Sequence, residues 1–134
     1  MSVDLEVIFP LKVANYDQLN IFSRYKGNID IRTQRLLTFN LLMIKTAHGD
    51  IYMRNVEAFE MILGAPGGSI DAVVRSSTLL ETYSGEDMTI DIDFDDWPYW
   101  TDMDIVSEKR VTVVYLFCLF IGSVPSCTLC VCVA

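Results

Sequence analysis

A chain of 134 residues that is 51% hydrophobic and 21% charged is long enough to bury one sizeable core and too apolar to remain disordered. Its net charge of −8 excludes a general nucleic-acid binder, which would be basic overall. The charge is also local: eight of the 18 acidic side chains lie in GEDMTIDIDFDDWPYWTDMD, residues 85–104, and the rest of the chain balances acid against base.

The opening segment, MSVDLEVIFP, has no basic residues before its apolar run, so a secretory leader is not expected. Val3, Leu5 and Val7 alternate with Asp4 and Glu6, which predicts a strand that Pro10 bends or ends. Tyr16, Leu19, Phe22 and Tyr25 then recur at helical spacing. Asn15 can cap that segment and Gly27-Asn28 can close it, so a short helix is predicted over 16–26.

Residues 29–46 return to extended character, AHGD at 47–50 reads as a turn, and Ile51 and Met53 alternate beyond it. Together they predict a β-hairpin. VEAFEMIL suggests a helical turn, followed by the GAPGGS loop at 64–69. From Ser69 a second helix is predicted, with Ile70, Val73, Val74 and Leu80 on one stripe and Gly85 as its stop. Residues 88–95 alternate once more. In order this is β-α-β-β-α-β, so the expected fold class is α+β: an antiparallel sheet with two helices in a ferredoxin-like arrangement over residues 3–95. No internal repeat is evident on this reading.

The expected organisation is a globular domain over 1–110 and a hydrophobic tail over 111–134. The tail, VTVVYLFCLFIGSVPSCTLCVCVA, carries no charge. Its length suits a membrane helix of roughly 20 residues, and Lys109-Arg110 would stay cytosolic. Gly122 and Pro125 instead favour two buried strands around a turn. All four cysteines, Cys118, Cys127, Cys130 and Cys132, fall in this tail, where they read as small buried hydrophobes rather than a zinc site.

The candidate partner-binding residues are Asp91, Asp93, Asp95, Asp96, Trp97, Tyr99, Trp100, Asp102 and Asp104. A carboxylate row beside three aromatic rings offers a basic protein both charge complementarity and anchors. Asp91, Asp93 and Asp95 match the first ligands of a calcium loop, but Asp96 stands where that loop needs glycine. Asp95, Asp96, Asp102 and Asp104 around the WPYW turn form a weaker alternative for a hard cation. His48, the only histidine, reads as an exposed turn residue, and GAPGGS lacks the lysine of a phosphate-binding loop.

These features predict a non-enzymatic binding or assembly protein with no cofactor. Its partners would be a basic protein surface or a second copy, with no direct nucleic-acid binding expected. A structural component of a larger particle, such as a viral one, fits the same features. Two alternatives are a tail-anchored membrane adaptor held through 111–134 and an acidic inhibitor that mimics nucleic acid. The expected localisation is cytoplasmic. The basic stretch 24–54 and the acidic stretch 85–104 favour either internal pairing of these regions or head-to-tail contact between copies.

Overall fold

The computed structural model of the chain describes residues 7–93, 102–121 and 124–133. Its elements are eight strands: β1 (Asn15–Lys26), β2 (Ile29–His48), β3 (Ile51–Ala65), β4 (Ile70–Ser84), β5 (Met88–Asp93), β6 (Asp102–Ser107), β7 (Val111–Ile121) and β8 (Val124–Val133). β1, β2, β3 and β4 pair in parallel in that order. β4 then pairs with β5 along its first part and with β6 along its last, both parallel. β7 adds to β5 in parallel, and β8 turns back antiparallel on β7.

Parallel neighbours joined by turns of a few residues require the chain to circle back to its starting side, and that is a β-solenoid. Ile29 lies over Ile51, Ile51 over Ile70, Ile70 over Met88 and Met88 over Val111. Each circuit therefore takes 18 to 23 residues. The α+β expectation is overturned, because the described residues contain no helix. The segment expected as the first helix is β1, and the one expected as the second helix is β4. VEAFEMIL lies inside β3. The expected hairpin across AHGD is also corrected: β2 and β3 are neighbours but run parallel.

The physical reason lies in the corners. In β3 the buried residues are Ile51 and Met53, then Val56 and Ala58, then Met61, Leu63 and Ala65. Within each leg they alternate at period 2, and each corner inserts an extra outward residue that shifts the phase. A step of two followed by a step of three imitates helical spacing. The repeat is a consequence of stacking, and its signature is a small or polar pair followed by two inward apolar residues. It reads Gly27-Asn28, Gly49-Asp50, Gly68-Ser69, Glu86-Asp87 and Lys109-Arg110, each before the residues that open the next circuit.

Stacking brings like residues into columns about 4.8 Å apart. Leu42, Met61 and Leu80 form one buried column, and Ile44, Leu63 and Thr82 another. Each fully buried aliphatic side chain contributes about 1.5–3 kcal/mol. Buried hydroxyls are satisfied: Ser84 donates to the Gly68 carbonyl at 2.7 Å and Thr82 to the Met88 sulfur at 3.3 Å. Among the described residues no buried side-chain polar atom lacks a partner.

Corners are held by ladders of main-chain and side-chain bonds. Asp50 Oδ1 accepts from the Ser69 amide at 2.8 Å, and the Asp50 amide donates to Asn28 Oδ1 at 3.0 Å. The next corner uses Asn55, which takes φ of 59° and donates from Nδ2 to the Thr33 carbonyl at 2.8 Å. The left-handed region is unfavourable for most residues, but asparagine tolerates it.

In the tail 111–134, left open between a membrane helix and two strands, the described residues form the antiparallel pair β7 and β8. No helix among the described residues is long and apolar enough to cross a membrane.

Candidate functional site

A solenoid keeps sequence order along its axis, so sequence charge becomes axial charge. Among the described residues, 7–50 carry six basic and three acidic side chains, while 70–93 and 102–110 together carry nine acidic and three basic. Among these, Arg32 pairs with Asp30 of its own strand at 2.8 Å, and Arg54–Asp71 at 2.9 Å and Lys109–Glu86 link adjacent circuits. Internal pairing of the basic and acidic stretches, one of the two outcomes expected from the sequence, therefore does not occur among the described residues.

The expected acidic site is divided between legs of the solenoid. Asp91 is exposed on β5, where it pairs with Val73 of β4, and Asp93 closes that strand. Asp102 and Asp104 belong to β6 and pair with Leu79 and Glu81 at the far end of β4. Asp95, Asp96, Trp97, Tyr99 and Trp100 lie outside the described residues. The cation alternative of Asp95, Asp96, Asp102 and Asp104 falls partly outside them too, and no group of three potential metal ligands stands together within them.

The outward face of the third legs carries a more coherent arrangement, which the sequence reading missed. Register places Phe22, Lys45, Gly64, Tyr83 and Val106 in one outward column across five circuits. Beside it run Asn20, Met43, Ile62, Glu81 and Asp104. Between the walls is a concavity of about 620 Å³, with Gly64 at its floor where the missing side chain leaves the column open. Phe22 is 57% exposed, Val106 46% and Tyr83 38%, so the rim is both apolar and wet.

Charge divides along this face. Arg24 and Lys45 line the end nearer β1, and Glu81 and Asp104 line the end nearer β6. Among the described residues none of these four has an ion-pair partner. Glu81 and Asp104 sit directly opposite each other on adjacent strands, a like-charge arrangement that costs stability unless another cation meets it. Tyr83 donates its hydroxyl to the Glu108 carboxylate, and that bond raises the tyrosine above its ordinary pKa.

A second concavity, of about 1070 Å³, lies at the β1 end of the solenoid. Leu19, Ile21, Ile29 and Ile31 line it, half-buried, and no described strand pairs with the outer edge of β1. Residues 7–14 lie across this end. Phe9 packs edge-on against Tyr16 with ring centres 5.0 Å apart, and the Arg35 guanidinium donates to the carbonyls of Pro10, Leu11 and Val13.

No family model, curated protein sequence or solved structure matches the chain. The physical arrangement is therefore the whole basis for a functional reading. His48 stands exposed at the end of β2 and is not among the residues lining either concavity. What the third-leg face offers is a firm apolar surface with opposite charge at its two ends.

Proposed function

We propose that this chain is a non-enzymatic binding and assembly protein whose contact surface is the outward face of its third legs. The observation that carries the reading is the column Phe22, Lys45, Tyr83 and Val106, exposed around a concavity with the buried Gly64 at its floor and built on regular strands. Strands make a better platform than loops, because their side chains are held by the core beneath. Large aromatic rims with flanking charge are the composition of interfaces rather than of solvated faces.

A photoreactive benzophenone amino acid tests this. At position 22 it should crosslink the folded chain to its partner, whether another copy or a protein in an extract of the source cells. At position 89, exposed on a first leg, it should not. Equal yield from the two positions, or no product from position 22 under any condition, removes the reading.

A further inference from the structure

We infer that the partner of the third-leg face is a second copy of this chain, docked about a two-fold axis that reverses the order of the circuits. The inference rests on the assembly reading above and adds the identity and orientation of the occupant.

The argument is one of symmetry and charge. Two identical sheet faces can pack about a two-fold axis lying between them, either parallel to the strands or parallel to the solenoid axis. An axis parallel to the solenoid keeps each circuit at its own height. Arg24 and Lys45 would then be held near their own copies, and Glu81 and Asp104 near theirs, which repels at both ends. An axis parallel to the strands, running beneath the Gly64 row, sends the first circuit to the fifth and the second to the fourth. Each column then faces itself in reverse. Phe22 meets Val106, Lys45 meets Tyr83, and Gly64 lies on the axis. Lys45 of the second circuit then lies one column from Glu81 of the fourth, and Arg24 lies over the fifth circuit, which carries Asp104.

This arrangement accounts for three features of the face together. The unpaired carboxylate Glu81 gains Lys45 one column away, Lys45 gains the Tyr83 ring, and the exposed Phe22 and Val106 cover each other. Gly64 removes the side chain that would otherwise hold the two sheets apart at the axis. Five strands about 4.8 Å apart, each with six or seven residues rising about 3.3 Å, span on the order of 500 Å². That is small for a dimer, about 800 Å² per partner being usual, so the association should be weak and salt-sensitive.

Sedimentation of the purified full-length chain, with charge-reversed variants, tests the proposal. Wild type should be a dimer at high micromolar concentration and dissociate as salt rises. Arg24→Glu with Lys45→Glu should weaken the dimer by at least about tenfold, and Glu81→Lys with Asp104→Lys should do the same. Mixing these two variants should restore a 1:1 dimer, because one then carries only acid on this face and the other only base. All four positions are exposed, so folding should survive, and circular dichroism checks that it does. A monomeric wild type overturns the inference, as does a dimer indifferent to both charge reversals. If the purified chain is monomeric while position 22 still crosslinks in extract, self-association fails and the binding surface stands. If neither occurs, both readings fail.

Discussion

Gly68 lies so close over Gly49 that a methyl group added to Gly68 would sit 2.0 Å from the Gly49 carbonyl oxygen. Gly49 stands in the same relation to Gly27, at 1.9 Å. Successive corners of the solenoid therefore touch through bare backbone, and the spacing of the circuits depends on it. Gly68→Ala should force this corner open and cost about 2–4 kcal/mol. Gly64 is the internal control, since a methyl group there meets only the flexible Lys45 side chain, at 3.4 Å. Urea titration should show Gly68→Ala well below wild type and Gly64→Ala close to it. Similar midpoints for the two variants would mean that the corners are not stacked this way.

Asp50 ties three circuits together through one side chain and its own amide, reaching Ser69 on one side and Asn28 on the other. Asp50→Ala leaves the half-buried Ser69 amide without its acceptor and should cost about 1–2 kcal/mol. Asp50→Asn retains an oxygen in the same place and should recover most of that loss. Melting temperatures of the two variants decide the point, and equal losses would count against the ladder.

The core columns make a graded prediction. Leu63 is fully buried beneath the third-leg face, whereas Val106 is exposed on its rim. Leu63→Ala should destabilise by about 2–5 kcal/mol, through lost burial and the cavity left behind. Val106→Ala should change stability by no more than about 0.5 kcal/mol. Denaturant midpoints measure both, and a large effect at Val106 would place it inside the fold rather than on a contact surface.

Alkaline stability reports the bond between Tyr83 and Glu108. The carboxylate acceptor holds the tyrosine proton, so its folded pKa lies above the unfolded value. The sign follows: the contribution is complete below about pH 10 and is lost as pH rises through the folded value. The exposed amine of Lys109, raised by Glu86, contributes in the same direction. Tyr83→Phe should therefore flatten the alkaline fall in melting temperature without abolishing it. An unchanged pH profile would show that the tyrosine titrates freely.

Several local features were readable from residues alone. Ile90 and Ile92 alternate with Asp91 as a half-buried strand should, and the structure places them buried, with Asp91 exposed. His48 is exposed near a turn, as its neighbours Gly49 and Asp50 suggested. Pro125 and Gly122 argued for two strands in the apolar tail, and that is how the backbone runs. The spacing of Tyr16, Leu19, Phe22 and Tyr25 imitates a helix, but Phe22 and Tyr25 are exposed. The residues packed on the core are Tyr16, Leu19 and Ile21, which step by three and then by two around a corner. A phase shift in a strand and a turn of helix give nearly the same short pattern.

The contact face was not legible in the same way. Phe22, Lys45, Tyr83 and Val106 are far apart in sequence, and nothing local marks any one of them. A search for residues at spacings of 19 to 23 would have found the column, but only after the corner pairs had been recognised as a repeat.

By itself the sequence determined which residues prefer burial, where turns are easy, and that basic and acidic side chains are segregated along the chain. Those are short-range properties, set by side-chain chemistry and by the backbone freedom of glycine, asparagine and aspartate. Only the tertiary structure decided that the strands run parallel, that Gly68 closes onto Gly49, and that Phe22 and Val106 share a face. These depend on hydrogen bonds between residues about twenty positions apart. No window of the length of one strand contains both partners of such a bond, so no local pattern could specify them.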